Sequence, residues 1–299
     1  SNVHKGLIHS SFSSNSNWPY SSWSAHVPAP ASLTNANFQT AVNLWCTDKA
    51  AAFSTYGHIK DWNVTGVTSM EDAFKDKTTF DENITGWDVS SVTNMHGMFE
   101  GASLFNQPIG DWNTSSVTNM GAMFRDARLF NHYIGDWNVS AVTNMSQMFH
   151  RAHNFNLSIA NWNVSGVTNM GAMFWGAISF DQNLSNWDTS SATSFSKIFA
   201  GASAFNQPIG NWNLSKVTSL EGMFNSASNF NQNISGWDVS FVTNMNSMFK
   251  SAESFNQNLS EWNVEKVVDM SGMFLSAKAF DSPIGGWDVG SVNNMSSMF

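Results

Sequence analysis

The stretch Asn-Ile-Thr-Gly-Trp-Asp-Val-Ser-Ser-Val-Thr-Asn-Met-His-Gly-Met-Phe-Glu-Gly-Ala-Ser-Leu-Phe-Asn-Gln, residues 83–107, decides the fold because it recurs in outline every 25 residues. Its tryptophan, Trp87, belongs to the series Trp62, Trp87, Trp112, Trp137, Trp162, Trp187, Trp212, Trp237, Trp262 and Trp287, spaced without one insertion. A fixed period of this length marks units that bury their apolar side only by stacking on neighbours. Within the unit the apolar period changes. Ile84, Trp87, Val89 and Val92 have the spacing of a leucine-rich-repeat strand, and Met95, Met98, Phe99, Ala102 and Phe105 follow at intervals of three and four. Asn94 stands before the second set where a helix N-cap belongs. The expected fold is therefore an α/β solenoid, a right-handed leucine-rich-repeat-like array of about ten 25-residue coils. Each coil carries a short parallel strand and a short helix.

Working outward, residues 61–299 form the array, with the last coil incomplete. Before it, Phe38, Ala41, Val42 and Trp45 share one helical face, which predicts an N-terminal cap helix within 35–60. Residues 1–34 are rich in Ser and Asn. They nevertheless carry Ile8, Phe12, Trp18, Tyr20 and Trp23, more large apolar groups than a linker needs, and read as an extended N-terminal arm. At the other end Met295, Met298 and Phe299 leave an open apolar edge. An arm and an open edge predict a head-to-tail contact with the next molecule, which does not close and so builds a filament.

Composition narrows the partners. Charged residues are 12% of the chain and the net charge is −9, so nucleic acid and anionic membranes are disfavoured. No apolar run is long enough to span a bilayer. Cys46 is the single cysteine, which excludes an intrachain disulfide framework and reads as an inert thiol. The chain begins at Ser1 with no apolar leader, as a processed secreted chain or a trimmed one would.

Comparing the repeats with each other exposes one sorted pair of columns. Four residues before each tryptophan stand Asn83, Pro108, Tyr133, Ser158, Asn183, Pro208, Asn233, Asn258 and Pro283. Two residues after each Asn is Thr or Ser, and after the others Gly or Ala. Asn-x-Ser/Thr is the acceptor for N-glycosylation on a secreted surface, so Asn83, Asn183, Asn233 and Asn258 are the stronger glycan sites. Two turn chemistries copied by duplication would sort in the same way. Asn63, Asn113, Asn138, Asn163, Asn213 and Asn156 are weaker acceptors, because an Asx hydrogen bond explains most of them equally well. The Asn or Asp after each second phenylalanine, from Asp81 to Asp281, predicts a side-chain-to-backbone ladder and not a calcium ladder.

Chemistry is scarce. His150 and His153 are close, yet no catalytic or metal-ligand constellation recurs, so no enzyme activity, metal or cofactor is expected. The units Ile-Ser-Gly-Trp-Asp-Val-Ser-Phe-Val-Thr-Asn-Met-Asn-Ser-Met-Phe, 234–249, and Phe-Asn-Gln-Pro-Ile-Gly, 205–210, resemble the BspA-like family of 25-residue leucine-rich-type repeats. Phe-Gln-Thr-Ala-Val-Asn-Leu-Trp, 38–45, and Tyr-Gly-His-Ile-Lys-Asp-Trp-Asn-Val, 56–64, look like the usual entry to such arrays. The resemblance covers 35–299 and implies a secreted or cell-surface protein, often an adhesin. The functional expectation is an extracellular structural glycoprotein, a head-to-tail subunit of a surface fibre, with N-glycans and its own copies as partners. The alternative is a monomeric adhesin that binds a host, matrix or glycan ligand through one face of the array.

Overall fold

The computed structural model describes residues 1–12, 15, 19–29 and 31–299, the side chains of residues 11 and 21 apart. The chain is a tandem-repeat protein with few helices and one small parallel sheet. Helix α1 spans Asn2–Phe12, α2 Phe38–Thr47 and α3 Lys49–Tyr56. Strand β1, Ser32–Thr34, pairs in parallel with β2, Asn63–Gly66, matching Ser32 to Asn63 and Thr34 to Gly66. Phe38, Ala41, Val42 and Trp45 are the buried face of α2. Asp48 ends α2 and starts α3, its carboxylate accepting from the Ala51 N–H at 3.0 Å.

Residues 2–12, expected within an extended arm, are helical. Val3 and Leu7 pack against the core, and a Cβ on Gly6 would lie 2.6 Å from the Phe53 ring, so α1 sits flush on α3. The physical reason is the spacing of three and four between Val3, Leu7 and Ser10, the last 5% exposed and donating to Asp61 at 3.5 Å. Trp18 lies outside the described residues.

In the repeats, both local expectations are corrected. Among the described residues no helix begins after Tyr56 except the 3-10 turn Ile59–Asp61, and no strand follows β2. The Met-Phe segment is a chain of turns in which alternate backbone N–H groups reach the next repeat. Met95 donates to the Asn119 carbonyl at 2.9 Å, Gly97 to Gly121 at 2.9 Å, Phe99 to Met123 at 2.9 Å and Gly101 to Arg125 at 2.7 Å. Residues in the columns of 97 and 101 are left-handed, with φ of +59° at Gly97 and +69° at Gly101. That alternation turns every second peptide toward the neighbouring repeat, which an α-helix never does. The spacing of three and four satisfies this arrangement as well as a helix, which is why periodicity alone misassigned it. Asn94 is accordingly an Asx turn, its side-chain oxygen taking the His96 N–H at 3.0 Å, and it forms a parallel bridge with Ser69 and with Asn119.

The tryptophan segment, expected as a strand, is also built of turns. The backbone of Trp87 bonds within its own unit to Ile84 at 3.2 Å, and Val92 to Val89 at 2.8 Å. Contact with the preceding unit is made by the indole, whose N–H donates to the Ile59 carbonyl at 2.8 Å. The same bond recurs from Trp137 to Ile109 at 3.1 Å and from Trp262 to Ile234 at 3.2 Å.

Two phenylalanine columns complete the core. Phe74, Phe99, Phe124, Phe149 and their successors stack at 5.5 to 5.7 Å over these four rings, and each ring also meets the second column, as in Phe99 and Phe105 at 3.8 Å. Ala102 and its equivalents to Ala252 are fully buried where neighbouring units converge.

Candidate functional site

The four stronger acceptors, Asn83, Asn183, Asn233 and Asn258, are all exposed. Each uses its side-chain oxygen locally. Asn83 accepts from the Thr85 N–H at 3.0 Å and the Thr85 hydroxyl at 2.8 Å, and Asn183, Asn233 and Asn258 take the N–H two residues on at 2.8 to 3.0 Å. In the alternative column Gly110, Gly135 and Gly210 have a packing cause. A Cβ at Gly110 would stand 2.4 Å from the Tyr133 carbonyl and one at Gly210 2.5 Å from that of Asn233, so glycine is demanded there by the approach of the next unit. Packing thus accounts for part of the sorting, and the four Asn sites are accessible.

Asn63, Asn113, Asn138, Asn163 and Asn213 are exposed too, and all close Asx turns onto the residue two further on. Asn156 differs. It is half-buried, and its side-chain oxygen accepts from Asp181 N–H and the Gln182 amide at 2.9 Å each. It belongs to an unbroken ladder: Asn106 N–H donates to Asp81, Asn131 to Asn106, Asn156 to Asn131, and so on to Asp281 on Asn256.

In the N-terminal segment Ile8, Phe12 and Tyr20 are 41%, 55% and 48% exposed, while Trp23 is half-buried, stacked on Tyr20 at 4.6 Å with the Lys5 ammonium 5.7 Å from its ring. At the far end Met295 is 41% and Phe299 70% exposed, Met298 packs partly on the core, and Phe299 stacks on Phe274 at 5.8 Å. Cys46 is half-buried in a recess of about 220 Å³ with Lys49, Lys77 and Glu82, and burial pushes its thiol pKa up. Among the described residues no group of three or more His, Cys, Asp or Glu is placed to hold a metal ion, and no helix is long and apolar enough to cross a membrane.

A ridge formed by the outward side chains of the Met-Phe segment brings together residues that no local motif in the sequence marks. Every arginine of the chain, Arg125, Arg128 and Arg151, lies on it around Asp126, at 4.0, 3.6 and 4.0 Å from its carboxylate. Arg125 also pairs with Glu100 at 3.5 Å, and Glu100 with Lys75 at 3.2 Å. His150 is 4% exposed with neither ring nitrogen hydrogen-bonded, and its ring lies 4.6 Å from that of Trp175, nearly parallel. Burial, then Arg125 and Arg151, lower its pKa to about 4. The signal was legible in one column read down the repeats: Glu100, Arg125, His150, Trp175, Ala200, Asn225, Lys250, Leu275.

No curated protein sequence matches the chain. Residues 46–156, 132–225 and 206–299 each match one family model, described as Mycoplasma protein of unknown function, DUF285. These stretches together run from residue 46 to residue 299, and the chain belongs to the DUF285 family.

Proposed function

We propose that the protein is an extracellular, glycosylated recognition scaffold of the BspA-like leucine-rich type. Its repeats are about ten 25-residue coils of a right-handed solenoid, and the ridge is its binding face. The observation that carries this reading is the contrast between an interior that repeats Trp, Phe and Ala at each unit and a ridge column that changes from half-buried Glu100 and Arg125 through buried His150 to exposed Trp175. Backbone bonds hold that segment, so its side chains vary without cost to the stack. Arg and Trp are also the residues that dominate interface energetics. Exposed sequons at Asn83, Asn183, Asn233 and Asn258 support a secretory route, and no catalytic role is assigned to any residue.

The test is binding of the purified chain to cells and to immobilised matrix proteins, with Arg125→Ser, Arg128→Ser and Trp175→Ser combined. Loss of binding with an unchanged melting temperature supports the reading, and undiminished binding defeats it. Intact mass before and after glycan removal tests the four sequons.

A second reading, a structural fibre built head to tail, is favoured by the common direction of the backbone bonds in the Met-Phe segment. There, as at Met95, Gly97, Phe99 and Gly101, each N–H points to the following unit, so a further unit from a second copy would add in the same register. Electron microscopy distinguishes the two: fibres favour this reading, discrete rods the first.

A further inference from the structure

The stack on the ridge stops abruptly. After His150 and Trp175 the column continues with Ala200, which leaves the far face of the indole uncovered by a third ring, and Asn225 closes the gap one unit later. The floor is kept low by Gly176 and Gly201, left-handed at φ +69° and +65°; a Cβ on Gly201 would already lie 3.5 Å from the Gly176 Cα. The backbone that holds the gap open is fixed, Gly176 N–H donating to the Ala200 carbonyl at 2.7 Å and Gly201 to Asn225 at 2.6 Å. The result is an open slot of about 120 Å³ lined by Trp175, Lys197, Ala200, Gly201, Asn225 and Ser226. Two strand spacings, roughly 10 Å, separate the planes of residues 175 and 225, which leaves room for a single ring in van der Waals contact with both sides.

The rim is polar in both senses. The Lys197 ammonium stands 5.8 Å from the Trp175 ring centre and pairs at 2.8 Å with the Glu221 carboxylate. The Ser226 hydroxyl donates to the Asn225 side-chain oxygen at 2.9 Å. An aromatic wall that is 38% exposed, the only exposed indole among the described residues, thus faces a gap bordered by an ammonium, an amide and a hydroxyl.

We infer that this slot binds a neutral pyranose ring, a hexose unit of a glycan, stacked on Trp175 with its hydroxyls bonded to the Lys197, Asn225 and Ser226 side chains. A pyranose has an apolar C–H face and a periphery of groups that both donate and accept, which the wall and the mixed rim match. A flat aromatic ligand would use the indole wall alone and draw nothing from the polar rim. A polyanionic glycan would meet Glu221 and a net charge of −9. The inference rests on the recognition reading above and names its ligand class.

The probe is a panel of methyl pyranosides of glucose, galactose, mannose and N-acetylglucosamine, read by saturation-transfer NMR on the full chain. At least one is expected to bind, with affinity falling at least about tenfold in Trp175→Ala and in Ala200→Leu. The second variant fills the slot and leaves the indole in place. Both variants should melt as the parent does, and Arg128→Ser should bind the sugar normally. If no pyranoside binds the parent chain, or both variants bind undiminished, the inference is overturned. Absence of pyranoside binding together with Arg125- and Arg128-dependent binding to enzymatically deglycosylated matrix protein would overturn the sugar slot yet leave the recognition reading standing. No binding of either kind would defeat both.

Discussion

Two stretches of each repeat hold it to its neighbours by opposite means. In the Met-Phe stretch the bonds between units run backbone to backbone, as in Gly97 to Gly121 and Gly101 to Arg125. In the tryptophan stretch the backbone-to-backbone bonds stay within the unit, and the crossing bond that recurs from Trp87 to Trp287 comes from one indole N–H, as in Trp162 to the Ile134 carbonyl at 3.0 Å. A backbone bond tolerates almost any side chain, whereas an indole bond demands tryptophan. The difference explains why one column reads Trp at every unit while another runs through Glu100, Arg125, His150 and Trp175. It also places the variable surface over the stretch with the strongest main-chain coupling.

The comparison breaks most readily at tryptophan. Trp162→Ala removes a 3% exposed side chain and its bond, and is expected to destabilise by about 3–5 kcal/mol. Trp162→Phe, which keeps most of the packing and removes one of the two bonds to the Ile134 carbonyl, the Trp137 N–H still donating to it at 3.2 Å, should cost about 0.5–1.5 kcal/mol. Chemical denaturation of both variants separates bond from packing; a Trp162→Phe variant as stable as the parent would show that the indole bond contributes nothing.

His150 sharpens the comparison from the ridge side. Its folded pKa of about 4 lies below the ordinary 6.5, so the unfolded chain binds the extra proton between these values. Its contribution is therefore intact above pH 6.5 and is lost as pH falls toward 4, with a slope of at most about 1.4 kcal/mol per pH unit. His150→Gln should flatten that slope in urea melts between pH 4 and 7 without disturbing the backbone ladder. An unchanged slope would assign the acid sensitivity elsewhere.

Smaller effects belong to the left-handed positions. Gly101→Val places a branched side chain at φ +69° with its Cβ 2.4 Å from the Asp76 carboxylate, and should cost about 1–2 kcal/mol. Gln147→Gly, at φ +58°, removes the same strain and should move stability by less than about 1 kcal/mol. Thermal melts of the pair check it; equal losses would show that side-chain bulk and not φ controls this stretch. Smallest is Lys278→Ala, which breaks the exposed pair with Glu253 and should change stability by about 0.5 kcal/mol or less.

Much of this was legible from residue types. The tryptophan period, the buried face of α2 and the Asp81 to Asp281 ladder are each dictated by local side-chain chemistry repeated in register. The Met-Phe stretch was not, because an apolar spacing of three and four describes both a helix face and a chain of alternating turns. Gly, Ser and Asp at Gly97, Gly101, Asp126, Gly176 and Ser226 were the available sign against a helix. The ridge escaped because its residues are far apart in sequence and ordinary one by one.

The sequence by itself determined the repeat, its interior columns and where the Asn-x-Ser/Thr motifs fall, since period and residue type suffice for these. Only the tertiary structure decided which peptides face the next unit, that residues 2–12 fold back as α1, and that Ala200 leaves a gap beside Trp175. Those outcomes depend on backbone direction and on neighbours brought together by stacking, which no single stretch of chain encodes.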